Sequence, residues 1–244
     1  DAFNKLDSSV IESLEYAADN IRRYHEEQIP GEMWMKEIRP GILAGERYTP
    51  VDSAAIYSPR GKGSFPSVTL MGAIPAVVAG VPDPIILTPA GPDGKIDPAT
   101  LVAARLSGVE QVYKAGGAVA VASAAFGTES IPKCLKIEGP GSPWLAAAKK
   151  LLSNQISSRV PAGPSDSIVF ADSTVDPRLA AMDLLIESEH GTDSSVFLVT
   201  TSRDIVDGVI KELPGYWAKM SEPWATYSST VLSGTYGGII LTDN

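Results

Sequence analysis

The sequence predicts an α/β protein: two Rossmann-like units with mainly parallel sheets, preceded by an N-terminal helix. Three observations carry that expectation. From Val51 onward, short β-prone runs alternate with longer Ala- and Leu-rich runs; glycines and prolines punctuate the boundaries; and several runs of helical period begin with a capping residue followed by proline. Such alternation requires right-handed crossovers and a parallel sheet covered on both faces.

In chain order, Ser8 and Ser9 precede an amphipathic helix in which Val10, Leu14, Ala17, Ile21 and Tyr24 follow the helical period, ending near Gln28 before Pro30. His25 in its last turn reads as a surface histidine set against the helix dipole. Residues Gly31 to Thr49 show no clear period and fit an irregular connector or a pair of edge strands. Residues 1–50 thus form an N-terminal helix and connector. Strands are expected at Ala54–Ser58, Pro84–Thr88, Gln111–Tyr113, Leu135–Ile137, Ser167–Ala171 and Val196–Thr200. Helices are expected near Ser67–Ala79, Pro98–Ser107, Gly117–Ala125, Pro143–Ser153, Pro177–Glu189 and Arg203–Leu213. Polar and proline residues between Leu152 and Pro164 mark a junction. It separates an α/β nucleotide-type unit at 51–160 from a second α/β unit at 161–244. Past Pro214 the chain reads as aromatic and irregular until a strand at Gly238–Thr242.

A chain of 244 residues with 44% hydrophobic content can bury a proper core. The net charge of −9, without any Lys/Arg-rich run, argues against nucleic acid or an anionic membrane as partner. No apolar run approaches the roughly 18 residues that span a bilayer. With Cys134 as the sole cysteine there is no intrachain disulfide, zinc knuckle or CxxC pair. Cys134 reads as a packed thiol and the setting as cytoplasmic. The chain begins without Met and stops at LTDN, which suggests a processed product or an excised fragment.

Chemistry concentrates between Pro161 and Ser195. Asp176 followed by Pro177 starts a helix, Leu179, Met182, Leu185 and Ile186 recur at helical spacing, and Gly191 is placed to end it as a left-handed cap. Asp183, Glu187 and His190 then share one face, and a carboxylate and an imidazole one turn apart can both reach a divalent cation. The plainer reading, favoured by the spacing alone, is a solvated helix end with His190 against the dipole and Glu187 paired to a cation. Three loops could approach a phosphate closely: Tyr57 to Gly63, Ala115 to Gly117, and Gly139 to Ser142. Arg60 or Lys62 stands ready for a pyrophosphate. None is a GxGxxG fingerprint, and each alone is more often just a tight turn.

Five segments in order, VDSAAIYSPRGKGSFPSVTLM, KAGGAVAVASAAFGTESIPK, KIEGPGSPWLAAAK, PAGPSDSIVFAD and DLLIESEHGTDSS, resemble the histidinol dehydrogenase family or its paralogues such as sulfopropanediol dehydrogenases. The resemblance covers nearly the whole chain. It implies a zinc-dependent, NAD-linked oxidation of a primary alcohol through an aldehyde to a carboxylate. The substrate would be histidinol or another small hydroxylated molecule such as a dihydroxypropane sulfonate. It implies cofactor contacts at Tyr57, Val119 and Ser142, although the family has glutamine at the second position and asparagine at the third. Ser165 matches a substrate contact. Glu187, where the family has glutamine, and His190 match two zinc ligands that also face the substrate. The remaining ligands and the catalytic Glu-His pair are expected beyond Asn244, so no catalytic residue is expected within this chain, which by itself should turn over little. Family members are homodimers, and a homodimer is expected here. The rival reading is a non-catalytic α/β binding or assembly module that keeps the scaffold.

Overall fold

In the computed structural model, residues 2–60, 63–159 and 165–243 are described. The chain forms two units, residues 1–163 and 164–244.

The first unit opens with helix α1 (Ser8–Glu26). Its N-cap is Asp7, one residue before the serines, whose carboxylate accepts the Ser9 N–H at 2.8 Å. Leu14 and Ala18 are its buried positions, packed with Leu70, Ile74, Val102 and Ala103. Residues 33–47 form an antiparallel hairpin, β1 (Met33–Arg39) and β2 (Ile42–Arg47), turning at Gly41 with φ +78°. Every residue of the hairpin is exposed, so it lacks the one-sided burial that marks a strand in sequence.

The main sheet follows, with strands β3 (Ala54–Tyr57), β4 (Ile85–Thr88), β5 (Gln111–Lys114) and β6 (Lys136–Glu138). Helices α2 (Pro66–Val78), α3 (Pro98–Ser107), α4 (Gly117–Phe126) and α5 (Pro143–Leu151) alternate with them. All the strand pairs are parallel, in the order β5-β4-β3-β6. The period-two alternation of side chains splits the two central strands between two cores. Ile56 and Ile86 pack with Ala73 and Ala104 of α2 and α3, while Ala55, Tyr57, Ile85 and Leu87 pack with residues of α4 and α5. Here the sheet is covered on both faces, which is why β3 and β4 are buried at every position.

The second unit is a parallel sheet of β7 (Asp166–Ala171), β8 (Ser195–Thr200) and β9 (Gly237–Leu241), in sequence order. Its helices are α6 (Pro177–Ser188), α7 (Arg203–Trp217) and α8 (Trp224–Ser233). Val196 and Leu198 of β8 share a core with Ala181 and Leu184 of α6 and Val209 of α7. On the opposite face Ile168 and Phe170 are 67% and 76% exposed, so within this unit the sheet is not covered on both sides, contrary to the expectation. Helix α7 runs through Pro214 to Trp217 rather than stopping at Leu213, and the stretch expected to be irregular contains α8. The apolar pattern of α8 is faint because Val231 is its one buried hydrophobic residue and a polar group shares its packing. Ser228 is buried 2.7 Å from the Ser188 hydroxyl and accepts the Trp217 indole N–H at 2.9 Å.

Two outcomes test this packing. Leu198→Ala, at a fully buried position, should destabilise the second unit by about 2–5 kcal/mol, read from a urea melt. Burial pushes the Cys134 thiol up to about 11, so the native chain should resist thiol alkylation near neutral pH while the urea-unfolded chain is labelled readily.

Candidate functional site

Strand order places a topological switch point between β3 and β6. From β3 the chain winds outward through β4 and β5, then returns to put β6 on the other side of β3. Loops leaving these two strands diverge, and the crevice between them is where open α/β sheets take a ligand.

Tyr57 is the last residue of β3 and is 4% exposed. Its hydroxyl accepts the Gly117 N–H at 3.1 Å, tying the end of β3 to the first turn of α4. The β6–α5 turn closes over the same tyrosine. Gly139 has φ +120°, and a Cβ there would overlap the Tyr57 carbonyl oxygen. A Cβ on Gly141 would lie 2.6 Å from Leu145 Cδ2 and 3.1 Å from Tyr57 Cε1. These glycines are therefore required by close approach. Ser142 caps α5, its hydroxyl accepting the Leu145 N–H at 3.4 Å, and Val119 stands 68% exposed on the first turn of α4. The helix N-termini and backbone amides bordering the crevice suit an anion.

Arg60 is engaged elsewhere: its guanidinium lies against Gly91 and donates to the Lys95 carbonyl at 2.6 Å, bracing the β4–α3 loop. The Ser64 hydroxyl reaches Asp97 of that loop at 2.6 Å. The Lys95 backbone N–H, followed by the charges of Lys95 and Arg60, holds Asp93 below the usual carboxylate range. Gly61 and Lys62 fall outside the described residues, as do Pro161 to Pro164 of the PAGPS motif.

In the second unit a groove of about 360 Å³ is lined by Ser167, Ile168, Val169 and Phe170 of β7 and by Asp183, Ile186 and Glu187 of α6. Asp176 starts α6, accepting the Arg178 N–H at 2.9 Å and the Arg178 guanidinium at 2.6 Å. Those bonds, side chain first, hold its carboxyl below the usual range. Helix α6 ends at Ser188, and its C-cap is the right-handed Glu189 rather than Gly191, whose φ is +147°. His190 thus sits past the helix instead of on it. The one-turn relation survives because the His190 N–H donates to the Glu187 carbonyl at 3.1 Å. Glu187 is half-buried, with Oε1 accepting the Ser194 hydroxyl at 3.2 Å, whereas His190 is exposed and does not line the groove. Ser165 is exposed just before β7, its carbonyl accepting the Ser195 N–H at 3.1 Å. A carboxylate and an imidazole are proper zinc donors, but they supply half of a tetrahedral set. No cluster of three such side chains forms among the described residues. Asp183 lines the groove beside Glu187, as their shared helix face implies, whereas Ser194 on Glu187 and Lys149 beneath the β6–α5 turn had no motif to announce them. For Lys149 the available signal was its position four residues after Leu145, on the buried stripe of α5.

The family model for histidinol dehydrogenase matches residues 1–244. This chain belongs to the histidinol dehydrogenase family. It is 59% identical over 243 residues to a histidinol dehydrogenase homolog of Rhizobium meliloti (strain 1021), covering 100% of this chain and 53% of that protein. To a histidinol dehydrogenase of Synechocystis it is 47% identical, over 98% of this chain and 55% of the relative. A crystal structure of histidinol dehydrogenase from Elizabethkingia anophelis superposes with TM-score 0.91 at 34% identity, covering 100% of this chain and 55% of that one. The chain therefore spans about half the length of these family members. A succinate-semialdehyde dehydrogenase from Burkholderia pseudomallei, with TM-score 0.55 and 17% identity over 86% of this chain and 43% of its own, shares the fold.

Tyr57→Phe removes the acceptor for the Gly117 N–H. It should cost about 1 kcal/mol in urea unfolding, whereas Gly139→Ala, which forces the β6 end off β3, should cost more.

Proposed function

We propose that this chain carries the dinucleotide site and part of the metal and substrate site of an NAD-linked alcohol dehydrogenase of this family. Such an enzyme takes a small primary alcohol through an aldehyde to the carboxylate. The observation that carries the reading is the β3/β6 switch point, where the turns that start α4 and α5 both come against Tyr57. NAD pyrophosphate would take the remaining first-turn amides, those of Ala118 and Val119 on α4 and of Trp144 on α5, because the Gly117 and Leu145 N–H groups are bound by Tyr57 and Ser142 and Pro143 has none. Tyr57, because it is buried, would act chiefly by fixing the shape of that cradle. Val119 offers no hydrogen bond, and the Ser142 hydroxyl is occupied as a helix cap, so recognition at these two positions rests on backbone and contact surface.

In the second unit, Ser165, Glu187 and His190 would face the alcohol, with Glu187 and His190 supplying two zinc ligands; the others, with the catalytic Glu-His pair, would come from sequence outside residues 1–244. When bound, zinc supplies a Lewis acid that anchors and polarises the substrate oxygen. The Ser194 hydroxyl on Oε1 orients the Glu187 carboxylate, as partners of metal ligands do. Glu187 also brings a negative charge where an amide would bring none. That difference favours a small hydroxylated substrate other than histidinol. A homodimer acting in the cytoplasm completes the reading.

Full-length protein given NAD and a panel of primary alcohols should form NADH with one class of them. No NADH with any alcohol under metal-replete conditions would refute the proposal. His190→Ala in the same protein should abolish bound zinc and activity. Because His190 is exposed, its melting temperature without metal should stay nearly unchanged. Metal retained alongside a large stability loss would instead make His190 structural.

A further inference from the structure

Lys149 occupies a costly place. It lies on α5 at 3% exposure, next in the chain to Ala148 and one turn from Leu145, both members of the core that contains Cys134 and Ile156. Its ammonium donates to the Gly139 carbonyl at 2.6 Å. That carbonyl belongs to the first residue of the β6–α5 turn, the same glycine whose backbone is pressed against Tyr57. Glu138, the residue before it, is half-buried and forms an ion pair with Lys136, Nζ to Oε1 2.8 Å. Burial lowers the Lys149 pKa, and the Glu138 carboxylate pulls it partly back up. A hydrocarbon side chain would fill this position without the cost of desolvating an ammonium. What the lysine adds is a charged donor fixed on one carbonyl.

The orientation of that carbonyl matters for an anion. The peptide joining Gly139 to Pro140 has no N–H, so only its oxygen can face outward or inward. Bound to the buried Lys149 ammonium, the oxygen is engaged within the protein and is not left to repel phosphate oxygens.

We propose that Lys149 is a positioning residue for the dinucleotide: its ammonium holds the Gly139 carbonyl inward, fixing the Gly139–Ser142 turn in the shape that receives phosphate. The inference rests on the reading of the β3/β6 crevice as the dinucleotide site. The turn should then be held while Lys149 is charged and released as pH rises through its pKa, which lies below that of an exposed lysine. The titratable groups around it are Glu138, whose charge acts on it, Lys136, which pairs with Glu138, and Tyr57 and Cys134 of the core into which α5 packs. All four are present in the variants as well as the wild type, so the difference between curves reports Lys149.

The test is NADH binding to the full-length protein, followed by titration from neutral to alkaline pH, since NADH survives alkali. At neutral pH, Lys149→Met should bind about tenfold more weakly than wild type, the size of one charge-assisted hydrogen bond. Wild-type affinity should fall toward the variant's value in alkali, by more than the Lys149→Met curve falls. Lys149→Arg, whose guanidinium does not titrate in this range, should keep neutral-pH affinity and fall in alkali no more than Lys149→Met does. It serves as the independent arm if the methionine variant does not fold, its fall then being compared with that of the wild type. Equal affinity of wild type and Lys149→Met at neutral pH, or an alkaline fall in Lys149→Arg as large as the wild type's, overturns the role of Lys149 alone. Absence of NADH binding by the wild type overturns the reading of the crevice, and this inference with it.

Discussion

The architecture of the first unit turns on how closely two parallel strands end against each other. Where β3 stops at Tyr57, the first residue after β6 is a glycine so near the Tyr57 carbonyl that no side chain fits. The Tyr57 hydroxyl then reaches Gly117 at the head of α4. One residue thereby gathers three stretches that are far apart in sequence. The parallel pairing that brings them together is itself secured by side chains alternating between two buried cores. An opening whose walls are backbone and helix ends has fixed dipoles and little freedom to reorganise, and such a setting suits a charged ligand such as a pyrophosphate.

The second unit is built on a different logic. Its helices share a core with one face of β7 and β8, while Ile168 and Phe170 on the other face and Ile186 on α6 remain exposed within the unit. Beside them a groove holds two carboxylates, Asp183 and Glu187, with an imidazole just past the end of the helix. Apolar walls with a few convergent polar groups describe a small-molecule site in outline. Here the polar set is partial, consistent with a chain that spans about half the length of its relatives.

The sheets were the legible part of the sequence. Runs such as Ile85-Ile86-Leu87-Thr88 announce a buried parallel strand by composition, and Asp97-Pro98 and Asp176-Pro177 announce helix starts by chemistry. Elements stabilised in other ways were harder to read. The α8 helix packs through serine hydroxyls and an indole, the hairpin buries neither face, and α7 continues past a proline that should have stopped it. At the candidate sites, motifs proposed residues but not their environment. Sequence gave no sign that the Tyr57 hydroxyl is spent on Gly117, that Arg60 braces a neighbouring loop, or that α6 ends before reaching His190. Each of these depends on contacts between residues distant in the chain, which periodicity does not encode.

The central claim is that a dinucleotide lies across the β3/β6 switch point in the first unit. Backbone amide chemical shifts of the isotope-labelled chain, followed as NADH is added, test it most directly. The account predicts saturable changes concentrated at Gly116 to Val119 and Gly141 to Leu145, flanking Tyr57. Changes confined to residues of the second unit, or none at saturating NADH, would contradict it.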